Sequence, residues 1–165
     1  MNKINVLLIN PGEHPKRVEI DGSLKSLQAA VDGYIQATYP FKDPVAVICN
    51  EEGKLRNLPL NRGLRDESGN LYDIISGSFL IIGLGEDDFE SLSAEMMERY
   101  ERLFYYPESF INLDGKFFCY PRDSEEIIRI VCRKMGLVID PNPNYDAAIE
   151  RMKEFYPRNS DSENK

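Results

Sequence analysis

The longest apolar runs in this sequence are only as long as a β-strand. Val45–Cys49 and Phe79–Ile82 are the clearest of them, whereas a helix that crosses a membrane needs about 20 consecutive apolar residues. Short apolar runs bounded by turn-forming residues are typical of buried strands. The chain is therefore expected to fold around a β-sheet and to contain no membrane span.

Two segments between the predicted strands show the apolar spacing of helices. The first helix is expected to begin after a cap at Ser23 and to end at Tyr39-Pro40. The second is expected to begin after Ser91 or Ser93, since apolar residues follow at spacings of four, four and three. Both helices would bury one face against the core.

The order of the predicted elements indicates the fold class. Strands and helices do not alternate strictly, which favours an α+β fold with a mixed, largely antiparallel sheet and helices packed on one face. Leu58–Asn70 is rich in charges and turn formers, and it is expected to be a surface loop. The predicted strands are Ile4–Asn10, Arg17–Ile20, Pro44–Cys49, Asp73–Gly77 and Ser78–Gly83.

A length of 165 residues is close to that of one domain. We predict an α+β core domain at residues 1–106, a C-terminal helical extension packed on the core at 107–156, and a disordered tail at 157–165. The extension includes a strand candidate, Phe117–Tyr120, and helices at 124–135 and 145–156, which the Pro-rich linker 140–144 separates.

The net charge of −8 disfavours direct DNA binding, because that affinity depends on Lys and Arg displacing counterions. The same charge suits a protein that docks on a basic surface. Cys49, Cys119 and Cys132 are odd in number and stand in apolar surroundings, so we predict buried, reduced thiols in the cytoplasm. No apolar leader follows Met1, and secretion is not expected.

Motifs for catalysis are missing from the sequence. His14 is the only histidine, and it lies in a turn where a solvated role is expected. Gly83-Leu84-Gly85 follows a strand, but Asp88 occupies the third glycine position of a dinucleotide-binding loop. A Mg²⁺-dependent nuclease is one further class of function, although no spacing of Glu and Asp residues selects its metal ligands. We predict no enzyme activity and no cofactor.

An acidic segment follows the predicted strand Ser78–Gly83, with Arg99 as its one basic residue. It is interpreted either as a solvated helix face or as an array of carboxylates that imitates phosphates and binds a basic groove. A metal site is a weaker third idea, since the spacing of a calcium loop is absent. The candidate acidic face comprises Glu86, Asp87, Asp88, Glu90, Glu95, Glu98 and Glu101.

A second candidate site is the densest cationic part of the chain. Its planar donors would suit a phosphate or carboxylate ligand, such as a nucleotide. The alternative is that these residues are ordinary solvated charges and supports of a loop. The candidate loop site comprises Asn50, Lys54, Asn61, Arg62 and Arg65.

Four pieces of the sequence resemble an uncharacterised family of small proteins encoded by bacteriophages and conjugative elements, sometimes beside antirestriction-type genes. The resemblance covers residues 3–106 and implies no catalytic residue. Its residues are Gly33-Tyr34-Ile35-Gln36, Cys49-Asn50-Glu51-Glu52-Gly53-Lys54-Leu55, Leu58-Pro59-Leu60-Asn61-Arg62 and Asp73-Ile74-Ile75-Ser76-Gly77-Ser78-Phe79.

The resemblance implies a mobile-element context, in which small acidic proteins block host defence systems. Together with the acidic segment it predicts a non-enzymatic anti-defence protein, with an anti-CRISPR inhibitor as the specific case. Its partner would be a host defence effector protein or ribonucleoprotein. The alternative prediction is a module that binds or sequesters a small anionic ligand. The sequence does not indicate an oligomeric state.

Overall fold

The computed structural model of the chain describes residues 2–122. Ten strands and two helices follow one another in this part of the chain. They are β1 (Lys3–Ile9), β2 (Lys16–Asp21), α1 (Leu24–Val31), β3 (Ile35–Thr38), β4 (Val45–Asn50), β5 (Leu60–Arg65), β6 (Leu71–Ser76), β7 (Phe79–Leu84), β8 (Phe89–Glu90), α2 (Ala94–Leu103), β9 (Glu108–Leu113) and β10 (Lys116–Pro121).

The main sheet has the strand order β2-β1-β7-β4-β3, and the short β8 pairs with the end of β7. Every neighbouring pair in it is antiparallel. The hairpins β5–β6 and β9–β10 form two separate two-stranded sheets. The expected α+β class with a largely antiparallel sheet is confirmed.

The main sheet buries apolar side chains on both faces, because successive side chains of a strand point to opposite sides. Val6 of β1 belongs to one cluster with Leu27 of α1, the α1-side core. Its neighbour Leu7 belongs to another cluster with Tyr100 of α2, the α2-side core. The helices therefore cover opposite faces. The expectation of helices on one face is wrong, because β4 and β7 are apolar on both sides and each side needs a cover.

Serine caps start both helices. Ser23 Oγ accepts a hydrogen bond from the Ser26 N–H at 3.2 Å, and Ser93 Oγ accepts one from the Met96 N–H at 3.2 Å. Each bond satisfies a backbone donor that has no partner inside the helix. The predicted caps are confirmed, with Ser93 rather than Ser91 at the second helix.

Helix α1 ends much earlier than the predicted stop at Tyr39. Asn50 of β4 donates from Nδ2 to the carbonyls of Val31 and Asp32, each at 3.0 Å. Asp32 itself adopts a left-handed conformation with φ of 59°, which ends the helix. The residues after it form β3, so a contact from a distant strand overrides the helical periodicity of this segment.

The β5–β6 hairpin occupies most of the segment that was expected to be a surface loop. Leu64 and Ile75 from its two strands belong to the α2-side core. The pairing shifts between Leu60 and Arg62, which leaves Asn61 at a bulge. The loop prediction is wrong here. Asn61 and Arg62 are buried in β5, where the sequence pattern of a buried strand would have apolar residues.

The β9–β10 hairpin follows α2 directly, where a helical extension was predicted to start. The strand expected at 117–120 is confirmed as part of β10. Glu108 of β9 joins the hairpin to β5, since its Oε1 accepts the Gly63 N–H at 3.0 Å. The predicted helices at 124–135 and 145–156, the linker at 140–144 and the tail at 157–165 lie outside the described residues.

Candidate functional site

A cleft of about 320 Å³ opens beside the end of β7. Its walls come from three parts of the main sheet: the residue after β3, the end of β7 with the following turn, and the start of β8. We call it the acidic cleft. It is lined by Tyr39, Leu84, Gly85, Asp87, Asp88 and Phe89.

A tight turn between β7 and β8 fixes the acids of the cleft. The Gly85 N–H donates to the Asp88 carbonyl at 2.8 Å, and the Phe89 N–H donates to Asp88 Oδ1 at 2.7 Å. A Cβ at position 85 would lie 2.9 Å from the Asp88 carbonyl oxygen, so glycine is required there. The turn holds exposed Asp87 at its tip.

The cleft lies on the α1 side of the main sheet. Leu84 and Phe89 pack against the α1-side core, as do Ile35 and Ala37 of β3. Side chains two residues apart on a strand share a face, which puts Tyr39 on the same side. Helix α1 has eight residues and is only about 12 Å long, so it covers a limited part of this face.

The cleft combines aromatic rings with carboxylates, and this combination suits a cationic group. Tyr39 is 60% exposed, and Asp87 and Asp88 are exposed. An ammonium or guanidinium over an aromatic face is attracted by its quadrupole, and a carboxylate adds a charge-assisted hydrogen bond. Sequence reasoning found the two aspartates but missed Phe89, which follows them directly, and Tyr39, which only the pairing of β3, β4 and β7 brings beside them.

Two of the remaining acids of the predicted face flank the cleft turn, and the three acids of α2 lie elsewhere. Glu95 and Glu98 are exposed on α2, which covers the opposite side of the main sheet. Glu101 binds Arg17 of β2 through two hydrogen bonds of 2.7 and 3.0 Å, and this partner lowers the pKa of Glu101. Glu86 and Glu90 are exposed next to the cleft turn. The four acids of the turn thus lie close together, but the structure does not gather all seven acids on one surface.

The amides of the candidate loop site bind the chain's own backbone. Asn50 caps the end of α1 as described above and is buried. Asn61 is also buried, and its Nδ2 donates to the carbonyls of Ile9 at 2.9 Å and Gly77 at 2.8 Å. These bonds tie β5 to the ends of β1 and β6. Neither amide faces solvent, where a ligand could reach it.

Arg62 is fully buried and holds three segments together. Its Nη2 donates to the carbonyls of Glu13 at 2.7 Å and Phe104 at 3.0 Å, and its Nη1 donates to Asn61 Oδ1 at 2.9 Å. Burial lowers the pKa of Arg62 to about 10, so the group remains protonated at neutral pH. Arg62 therefore connects β5 to the end of α2 and to the loop after β1.

Lys54 and Arg65, the other two residues of the candidate loop site, form ion pairs. Arg65 donates from Nη2 to Glu108 Oε2 at 2.9 Å and to the Cys119 carbonyl at 2.7 Å. Lys54 pairs with Asp73, and among the five candidate residues it alone is exposed. The five residues thus support the fold at separate places and do not converge on one open anion site.

An exposed aromatic group that the sequence did not indicate lies at the end of α2. The rings of His14 and Tyr105 stack with centroids 4.5 Å apart, and those of Tyr105 and Tyr106 meet edge to face at 5.0 Å. His14 Nδ1 also lies 2.6 Å from the Tyr105 carbonyl oxygen. His14 is exposed, as predicted for a loop histidine, and it also joins the loop after β1 to the segment after α2.

The described thiols are poor nucleophiles. Burial raises the pKa of Cys119 to about 12 and also raises the pKa of Cys49, which is half-buried. Both are free thiols, while Cys132 lies outside the described residues.

The described part of the chain contains neither a metal-binding cluster nor a membrane-spanning helix. Residues 2–122 contain no group of three or more His, Cys, Asp or Glu side chains that could hold a metal ion. Within the same range, neither helix has the length and apolar character needed to cross a membrane.

Comparison with known proteins identifies one family. Neither a curated protein nor a solved structure matches this chain. A family model described as "Domain of unknown function (DUF3846)" matches residues 4–105, which include the elements from β1 to α2 except for Lys3, the first residue of β1. The chain therefore belongs to the DUF3846 family.

Proposed function

We propose that this chain is a non-enzymatic anti-defence protein of a mobile genetic element, and that it binds a basic surface on a host defence effector or ribonucleoprotein. An anti-CRISPR inhibitor is the specific case. The proposal concerns a protein partner because a chain with a net charge of −8 repels the phosphate backbone of nucleic acids.

The acidic cleft is the observation that carries the proposal. Asp87 and Asp88 stand exposed beside the rings of Tyr39 and Phe89. Within residues 2–122, neither aspartate forms an ion pair with a Lys or Arg. On binding, these charges break no ion pair of the described part of the chain, and they can pair with a cation from another molecule.

The exposed acids of α2 provide a second, longer-range contribution. Glu95 and Glu98 are exposed and, among residues 2–122, have no ion-pair partner either. Their neighbours Arg99 and Glu101 are different, since Arg99 binds Asp43 at 3.1 Å and Glu101 binds Arg17. Exposed charges of this kind raise the rate at which a basic partner is met.

A capture experiment with charge-neutral variants tests the proposal. The full chain is immobilised and incubated with a panel of purified Cas effectors, each with and without guide RNA. The variant Asp87→Asn/Asp88→Asn keeps the Oδ1 acceptor of the turn and removes two charges. We expect its affinity for the captured effector to fall about tenfold, since each ion pair is worth up to about 1 kcal/mol.

The matched control is Glu51→Gln/Glu52→Gln, which removes the same charge from an exposed turn away from the cleft. It should bind like the wild-type chain and protect phage in cells equally well. The proposal fails if the wild-type chain captures no effector across a broad panel and gives phage no protection.

A further inference from the structure

The two edges of the main sheet differ in charge. Strand β2 carries Lys16, Arg17, Glu19 and Asp21 among its six residues, and charged side chains protect an edge from pairing with other chains. Strand β3 at the opposite edge has the sequence Ile-Gln-Ala-Thr and carries no charge. The β3 edge therefore lacks the protection that the β2 edge has.

The alternation of hydrogen-bonded and non-bonded residues along β3 determines which peptide groups point outward. The Glu51 N–H donates to the Tyr34 carbonyl at 2.8 Å, directly before the pair Ile35 and Asn50. In an antiparallel ladder, hydrogen-bonded pairs alternate with non-bonded ones. Residues 34, 36 and 38 therefore bond to β4, while the N–H and C=O groups of Ile35 and Ala37 point away from the sheet.

Within residues 2–122 no strand pairs with the outer side of β3, and this edge leads directly to the acidic cleft. Tyr34 and Tyr39, which flank β3, are 67% and 60% exposed. Tyr39 also lines the cleft. On a strand added to this edge, the side chain opposite Tyr39 would have its Cβ about 5 Å from that of the tyrosine, on the cleft side of the sheet.

We infer that the β3 edge binds an extended, cationic segment of the partner protein as an added strand. The backbone of the segment bonds to Ile35 and Ala37, and a Lys or Arg side chain crosses the Tyr39 ring to reach Asp87 and Asp88. This mode of recognition takes affinity from main-chain hydrogen bonds and specificity from a side-chain pocket. The inference rests on the proposed function and names the partner segment that the acidic cleft takes.

Charge decides between this occupant and a second copy of the chain. Two copies paired through β3 would each bring a net charge of −8, and their cleft aspartates would approach near the shared edge. Like charges at an interface oppose association. A cationic segment instead gains from the same carboxylates.

Titration with capped peptides of alternating Thr and Val tests the inference on the full isotope-labelled chain. Three peptides carry Arg, Gln or Glu at the centre and are otherwise identical. We expect the Arg peptide to slow hydrogen exchange of the Ile35 and Ala37 amides and to shift the Tyr39 signals. The Gln peptide should bind about fivefold more weakly, because it lacks the cation, and the Glu peptide should bind more weakly still.

Proline substitutions show whether the edge itself is used. Ala37→Pro removes an outward N–H that β4 does not need, and an edge strand tolerates proline at such a position. The matched control is Glu19→Pro on β2. The Gly22 N–H donates to the Asn2 carbonyl, and the alternation that starts from this bonded pair leaves the Glu19 N–H pointing outward as well. Ala37→Pro should abolish peptide binding, while Glu19→Pro should retain it.

Other outcomes overturn the inference and leave the proposed function intact. Equal binding of the Arg and Gln peptides, or no exchange protection at Ile35 and Ala37 with any peptide, would show that the edge does not serve the cleft. Dimerisation in analytical ultracentrifugation that Ala37→Pro abolishes would identify a second copy as the occupant. The exchange measurement uses the wild-type chain, so it holds even if Ala37→Pro does not fold.

Discussion

Arg62 shows how a residue type that indicates a ligand site can instead serve the protein's own backbone. Taking a guanidinium out of water is costly, and this cost is what lowers its pKa to about 10. Hydrogen bonds to the carbonyls of Glu13, Asn61 and Phe104 offset that cost. The planar donors that suit a phosphate suit clustered carbonyl oxygens equally well.

Replacing Arg62 by Met should destabilise the fold strongly. The substitution keeps an unbranched side chain but leaves the carbonyls of Glu13 and Phe104 and the Asn61 Oδ1 atom without this donor. Each buried group that loses its partner costs about 1–3 kcal/mol, so we expect a loss of about 3 kcal/mol or more. Urea unfolding followed by circular dichroism measures the change.

The control for this prediction is Arg102→Met on the exposed side of α2. It should change the free energy of unfolding by less than about 0.5 kcal/mol. Similar stabilities of the two variants would contradict the role assigned to Arg62.

The contact from Asn50 decides where α1 ends and β3 begins. Its Nδ2 occupies the last carbonyls of the helix, and its Oδ1 accepts the Glu52 N–H at 2.8 Å. One buried side chain thus shapes both the helix end and the turn after β4. This double role follows from the position of Asn50 at the end of a central strand.

Asn50→Ala should lower the free energy of unfolding by about 2 kcal/mol, because the helix carbonyls and the Glu52 N–H lose their partner inside the protein. Denaturant unfolding with an unchanged slope would give this difference directly. The neighbouring exposed substitution Glu51→Ala is the control, and it should be nearly neutral. If Asn50→Ala leaves the free energy of unfolding unchanged, water replaces the amide at no cost.

The elements that sequence patterns predicted well are those whose burial follows from apolar residues alone. β4 and β7 are continuous apolar runs, and α2 follows a serine cap with regular spacing. β3 was assigned to a helix because Asn50 acts on it from outside the local pattern. β5 was assigned to a loop because its buried Asn61 and Arg62 have the composition of a surface.

The candidate site was predicted only in part for the same reason. Asp87 and Asp88 stand in an obvious acidic segment, but Tyr39 looked like the end of a helix. Its place beside the aspartates depends on the pairing of β3, β4, β7 and β8, which are far apart in sequence. A local pattern carries no information on such long-range pairing.

The acidic residues are distributed over two sides of the main sheet. The acidic cleft lies on the α1 side, whereas Glu95 and Glu98 lie on α2. One contact surface is therefore expected to use the cleft directly, with the helix acids acting over a longer distance. Screening by salt separates these two contributions, because the Debye length falls from about 30 Å at 0.01 M to about 10 Å at 0.1 M.

The association rate with the captured effector should fall steeply as salt rises over this range, while the dissociation rate changes less. Glu95→Gln/Glu98→Gln should reduce the salt dependence of association and leave dissociation nearly unchanged. Biolayer interferometry at several salt concentrations measures both rates. Association that is independent of salt would remove long-range attraction from the proposed mechanism.

The bonds of Arg62 also bear on how the sequence can drift over generations. Three of its acceptors, at Glu13, Asn61 and Phe104, are main-chain oxygens, which every amino acid supplies. The side chain at position 13 can therefore change without affecting the contact, whereas position 62 has no substitute that supplies the same donors. In lineages derived from this protein, we expect a fixed arginine facing a freely varying residue, with no covariation between the two positions.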